Sequence, residues 1–175
     1  HIAEDVYEFT VRVITPMFLG GFDQNAKIRA APFKGALRYW WRIAEGKTTS
    51  DAEELRKKEQ SLFGGVYSNG KKEKACSSLV RITVKSDSDI VEKKQLPDKW
   101  KVRQPEVKNK FGEILPINAL LYLGYGPVAT GKPPRYKYSY VSPESEFSLS
   151  VSVASCVEEK DRQRIQAALS MLHHF

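Results

Sequence analysis

The residues able to do acid–base chemistry are few. A metal-free nuclease needs a positioned His, Tyr or Lys to move protons, and the chain's three histidines are His1 and the adjacent pair His173 and His174. Neighbours on a terminal helix point to different sides, so the pair reads as structural or solvated. Cys76 and Cys156 lie far apart without ligand-like neighbours, whereas a zinc site takes about four ligands, closely paired in sequence. They read as free thiols of a reducing cytoplasm, and no cofactor or metal is expected. Gly126-Pro-Val-Ala-Thr-Gly-Lys132 nearly spells a phosphate-binding loop. Pro133 stands where the magnesium-binding Ser or Thr belongs, and a second proline follows, so the helix that would present its amides cannot start there.

Cations in register are better represented. On a helical wheel of Pro32 to Glu45, Phe33, Leu37, Trp40 and Ala44 share one sector, flanked by Ala36. Lys34, Arg38, Arg42 and Glu45 fall opposite, with Trp41 at the edge of that polar face. Successive cations at a four-residue stride lie about 6 Å apart along the axis, roughly the repeat of phosphates on a nucleic-acid strand. Trp41 adds a surface on which a base could stack or which could buttress the cations, and Lys27 and Arg29 precede the helix and extend the stripe. The plain alternative is a solvated helix face with tryptophan covering core. A second basic surface runs from Lys93 to Lys137, where ten Lys/Arg stand against three Asp/Glu and Trp100, Phe111, Tyr125 and Tyr136 are interleaved. Cations that follow phosphates and rings that stack on bases suit single-stranded RNA, which makes Arg135 and Lys137 candidate contacts. A lysine-rich insertion kept soluble by its charge is the alternative here.

Tyr7 to Thr15 alternates as a half-buried strand, ended by Pro16, with Gly20 and Gly21 permitting a sharp turn. A helix is expected from Pro32 to Glu45, stopping at Gly46. A second has Ser50 and Glu53 as a capping box and ends near Phe63-Gly64-Gly65. Leu79 to Lys85 and Glu146 to Ser155 read as strands, the latter burying Phe147, Leu149, Val151 and Val153. Asn118 to Gly124 is apolar and fits either state. Glu158 to His174 is an amphipathic helix with Ile165, Leu169 and Leu172 inward. This order matches the first five elements of a βαββαβ unit: an α+β, ferredoxin-like (RRM-like) fold, with an antiparallel sheet and helices on one face. The last strand is missing, so the protein is expected to continue beyond Phe175.

Length and composition agree. At 175 residues with 41% apolar and 28% charged residues, one domain over 1–175 is expected, with a basic insertion at about 90–140. The longest uncharged apolar stretch, Ile117 to Leu123, is far too short to cross a bilayer, and no signal peptide is visible, so a cytoplasmic protein is expected. A net charge of +7 favours an anionic partner without naming it.

Thr15-Pro16-Met17-Phe18-Leu19-Gly20-Gly21, then Ile28-Arg29, then Pro32-Phe33-Lys34-Gly35-Ala36-Leu37-Arg38-Tyr39-Trp40-Trp41-Arg42 resembles the N-terminal signature of the first RAMP subunits of type III-B CRISPR (Cmr) complexes. Glu59-x-x-Leu62-Phe63-Gly64 is similar to the E-x-x-x-F-G element of the same family. The resemblance spans about 50 residues; "KGALR" is shared by many RAMP proteins, and the Trp-Trp-Arg ending points to this subunit. It implies a RAMP ferredoxin-like fold and a non-catalytic subunit that holds guide RNA (crRNA) and target RNA in antiviral defence, assembled with other RAMP subunits. Family members are usually longer, with a glycine-rich loop after the final helix seen here. On this reading Arg29, Lys34, Arg38 and Arg42 neutralise phosphates, while Gly20 and Gly21 let the backbone approach RNA or a neighbouring subunit. The competing expectations are a RAMP endoribonuclease processing guide precursors through His173 or His174, and a protein–protein assembly module docking an acidic subunit.

Overall fold

The clean alternation of Glu146 to Ala154 decides where the core lies. In the computed structural model this segment is a strand in which Phe147, Leu149, Val151 and Val153 are buried and the intervening residues are not. A period of two sends one set of side chains to each face of a sheet. The structure describes residues 4–19, 25–68, 73–86, 92–93, 101–119, 128–129, 135–136 and 138–172. In chain order its elements are β1 (Glu4–Arg12), α1 (Ala30–Gly46), α2 (Ala52–Phe63), β2 (Gly65–Ser68), β3 (Glu73–Cys76), β4 (Val80–Lys85), β5 (Glu92–Lys93), β6 (Lys101–Lys108), β7 (Ile114–Asn118), β8 (Val128–Ala129), β9 (Arg135–Tyr136), β10 (Tyr140–Val141), β11 (Glu146–Ala154) and α3 (Glu159–Ser170). The fold is thus mixed α+β, with small antiparallel sheets and three helices among the described residues.

The described chain separates into two compact units. The first holds residues 1–11, 29–87 and 147–175. Its sheet has the order β1-β11-β4, with β11 antiparallel to β4 so that Leu149 faces Val84, Val151 faces Ile82 and Val153 faces Val80. All three helices belong to this unit. The Arg162 guanidinium of α3 donates to the carbonyls of Ala154 and Ser155, and also pairs with Asp5 on β1. Gln166 donates to the Tyr7 hydroxyl at 2.9 Å. Phe33 of α1 meets Phe147 of β11 with ring centroids 5.4 Å apart. Helices α1 and α3 therefore cover the sheet face that carries Asp5, Tyr7 and Phe147.

The second unit gathers 12–28 with 88–146, and so includes the basic segment that the sequence suggests as an insertion into one domain. Tyr140 and Val141 are fully buried there. Met17 bridges Val141, and Phe18 lies 5.6 Å from the Tyr140 ring. Its longest element is the β6–β7 hairpin, in which every residue of β6 is exposed. Phe111 at the hairpin's turn is 76% exposed, with the Lys110 ammonium 4.9 Å from its ring centre.

Two local expectations are revised. Helix α1 starts two residues early, at Ala30, so Pro32 occupies the third position; an amide in the first turn has no helical acceptor, and proline loses nothing there. Helix α2 is capped by Asp51, whose carboxylate accepts from the Glu53 amide at 2.9 Å, rather than by Ser50. Of the apolar stretch Asn118 to Gly124, Asn118 ends strand β7, and residues 120–124 lie outside the described residues. Cys76 and Cys156 are free thiols. Among the described residues no helix is long and apolar enough to cross a membrane.

Candidate nucleic-acid interface

Helix α1 buries a stripe at a four-residue stride: Leu37, Trp41 and Glu45. Trp41 is completely inaccessible, and its ring stands edge-on to Phe63 of α2 at 5.8 Å. No ring face remains for a base, so the stacking role expected of Trp41 is replaced by one in the core, with buttressing the only part left to it. Glu45, expected on the solvated side, is 1% exposed. Both revisions have one cause. The wheel assumed a single apolar face against a sheet, whereas α1 is flanked by β4, α2 and α3 together. Trp40 and Phe33, expected at the centre of the apolar sector, are only half-buried.

The cations lie beside this stripe. Arg38 Nε and Arg42 Nη1 donate to the same oxygen, Oε1 of Glu59 on α2, at 2.6 and 2.7 Å. The Glu59 side chain is 8% exposed, while those of Arg38 and Arg42 are 36% and 42% exposed. One buried carboxylate thus gathers two guanidiniums, each of which keeps donors facing outward, since a guanidinium carries five N–H groups. Lys34 Nζ donates to Ser78 Oγ at 2.7 Å. Burial, and then the charge of Arg38 one turn on, holds the Lys34 ammonium below the usual lysine range. Arg29 is the exposed residue that caps α1 with an extended backbone.

The residue Glu59 is one part of a joint between α1 and α2, and Phe63 and Gly64 complete it. Gly64 ends α2 at φ +78°. A Cβ there would meet the Cys76 carbonyl and the Ser78 amide at 3.0 Å, both backbone atoms that cannot yield, so glycine is required on two counts. The Leu79 amide then donates to Leu62 O at 2.8 Å, which ties the end of α2 to the start of β4.

A second ionic cluster braces the C-terminal end of α1, less than one turn beyond Arg42. The buried Glu45 carboxylate accepts from Lys58 Nζ at 3.0 Å and from the Thr49 hydroxyl at 3.1 Å. Arg164 Nε of α3 stands 3.3 Å from its other oxygen, an ion pair without hydrogen-bond alignment. Burial pushes the Glu45 carboxyl up, but the bonds from Lys58 and Thr49 and the charges of Lys58 and Lys160 outweigh it and hold it below the usual carboxylate range. Nearby Asp161 is pushed up, first by burial and then by the charges of Glu45 and Glu158. This cluster was not legible in the sequence, because a glutamate on a polar helix face carries no sign of a third helix above it.

Of the residues expected to contact RNA, the structure gathers Arg29, Lys34, Arg38 and Arg42 on α1 and its cap. Lys27 is exposed but belongs to the other unit, where its amide donates to Leu19 O. Arg135 is in β9, opposite Ala129. Gly20, Gly21 and Lys137 lie outside the described residues, as do His173 and His174.

A family model described as the RAMP superfamily matches residues 10–175. No curated protein matches the chain.

Proposed function

The chain belongs to the RAMP superfamily, and from that premise we propose that it is a non-catalytic, RNA-holding subunit of a type III-B CRISPR (Cmr) effector complex. Membership carries a CRISPR-associated, RNA-binding role within multi-subunit assemblies in general terms. The finer assignment to this subunit draws on the Lys34-to-Arg42 run with its Trp-Trp-Arg ending. A ferredoxin-like unit is supported by the order β1-β11-β4, in which the last of the three strands in the chain lies between the other two, with helices on one face.

The observation that carries the reading is the pair of half-exposed guanidiniums anchored on the buried Glu59 carboxylate. Planar guanidinium forks match phosphate oxygens, and anchoring removes much of the side-chain entropy lost on binding. Arg29 and Lys34 extend the ridge along α1. Phosphate contacts of this kind set position and carry little sequence information, as suits a subunit that must accept many guides.

The test is to purify the tagged full-length protein gently from its native host and sequence the RNA that accompanies it. Short RNAs with repeat-derived ends, together with other RAMP subunits, are expected from the unaltered protein. The Arg38→Glu/Arg42→Glu variant is expected to lose the RNA at moderate salt. RNA recovery and assembly unchanged by that double charge reversal would refute the ridge.

A further inference from the structure

The face of the β1-β11-β4 sheet opposite the helices holds a groove of about 300 Å³, at the small end of the ~300–1,000 Å³ typical of ligand pockets. Its polar lining is Glu8 and Thr10 from β1, Ser148 and Ser150 from β11, and Thr83 and Lys85 from β4. These side chains make no hydrogen bond or ion pair with any described residue. Alternation explains their gathering. Strands β11 and β4 send their apolar residues to the helices, and on the other face Ser148 pairs with Lys85 and Ser150 with Thr83 in the ladder, beside Glu8 and Thr10 of β1. Phe9 and Leu149 also line the groove, but alternation turns their side chains toward the helices, so the groups left facing it are four hydroxyls, one ammonium and one carboxylate, none of which offers a π-face for stacking. They suit a ribose-phosphate instead: hydroxyls and a carboxylate can exchange hydrogen bonds with a sugar hydroxyl, and a lysine can hold the adjoining phosphate.

We infer that this groove is a second RNA contact, one that grips the sugar-phosphate backbone and distinguishes RNA from DNA through the 2′-hydroxyl. The inference rests on the RNA-holding reading above and deepens it. The α1 ridge supplies phosphate contacts that ribo- and deoxyribo-strands share. The groove supplies donors and acceptors that only a ribo-strand can satisfy, since the 2′-hydroxyl both donates and accepts.

The experiment is fluorescence anisotropy of the intact chain with 5′-labelled decauridine RNA and its 2′-deoxy counterpart. The unaltered protein is expected to prefer the ribo-strand. Thr10→Val/Thr83→Val/Ser150→Ala, which removes hydroxyls while keeping strand-compatible shapes, is expected to erase roughly a ten-fold preference by weakening RNA binding and leaving DNA binding unchanged. Ser148→Ala/Ser150→Ala, confined to one strand, carries the same expectation if the triple variant does not fold. Lys85→Gln is expected to weaken both strands alike and to reduce the salt slope by about 0.7, one phosphate's worth on a single strand. Equal affinity of the unaltered protein for both strands, or a preference untouched by the hydroxyl variants, would overturn the groove while leaving the α1 ridge standing. Binding to neither strand would remove the RNA-holding reading and the groove with it.

Discussion

Trp41 separates two accounts of helix α1, because a core tryptophan and a base-stacking tryptophan respond differently to the same substitutions. The ring is fully inaccessible, sits near the middle of a 17-residue helix, and meets Phe63 edge-to-face. Truncation to alanine is therefore expected to cost about 3–5 kcal/mol, the range for large aromatic residues in cores. That is a large share of the roughly 5–15 kcal/mol that holds a typical domain folded. The indole N–H finds no acceptor among the described residues, and a buried donor left unpaired costs about 1–3 kcal/mol. Trp41→Phe gives up packing area and the Phe63 contact geometry, but it also discards that unpaired donor. Its cost is expected to be about 1 kcal/mol, far below that of alanine. Urea titration followed by far-ultraviolet circular dichroism measures both, independently of the tryptophan fluorescence that the substitutions alter. RNA affinity of the folded Phe variant is expected to match that of the parent. A Trp41→Ala protein with an unchanged midpoint and RNA affinity weakened by about 1–3 kcal/mol would refute the core placement and restore the stacking role.

The Glu59 joint predicts coupling. Glu59→Ala removes two charge-assisted bonds, yet Arg38 and Arg42 are exposed enough to rehydrate, so the expected loss is about 1–2 kcal/mol rather than the full value of a buried pair. Combined with Arg42→Ala, the losses are expected to fall short of additivity by at least about 0.5 kcal/mol in chemical denaturation; strict additivity would mean that the contact is idle. The Glu45 cluster predicts a pH dependence. A carboxyl held below its unfolded value contributes stability that is complete above the ordinary carboxylate range, near pH 4.3, and is lost as pH falls through its folded value. Asp161, pushed the other way, stabilises at low pH and loses that contribution as pH rises, which blunts the acid slope. Thermal melts are expected to drop below about pH 4, with the drop reduced in Glu45→Gln; identical acid profiles for parent and variant would exclude Glu45 as the cause.

Much of the first unit was legible because its strands and helices obey one period each. The alternation in Glu146 to Ala154 and the 3.6-residue pattern after Glu158 needed no tertiary knowledge, and both elements stand within a few residues of where the pattern puts them. The cations of α1 were equally legible as a row. Their carboxylate partner was not: Glu59 lies 17 and 21 residues away, and only the packing of α2 on α1 brings it to Arg42 and Arg38. Trp41 was misplaced for a related reason. A wheel divides a helix into an inside and an outside, but a helix enclosed on three sides buries positions that a two-sided division gives to solvent. The groove on the open sheet face was invisible for the opposite reason, since serine, threonine and lysine alternating with valine describe an ordinary solvated sheet until register sets them side by side.

The Glu59–Phe63–Gly64 element and the Lys34-to-Arg42 run are separated in sequence, and the structure makes them one object. Glu59 anchors Arg38 and Arg42, Phe63 meets Trp41, and Gly64 gives the turn that lets β4 begin against α2. Most of the motif's residues therefore build the α1–α2 joint, and the guanidiniums are the members that still face outward. This division bears on how the motif should respond to change. Substitutions at Trp41, Phe63 or Gly64 should act through folding, so that RNA binding falls only as far as the folded fraction does. Substitutions that reverse charge at Arg38 or Arg42 should reduce RNA binding by more than any stability loss accounts for. The residues that most readily mark the motif are thus mainly its scaffold, and the phosphate contact proposed for it rests on side chains that many basic helices share.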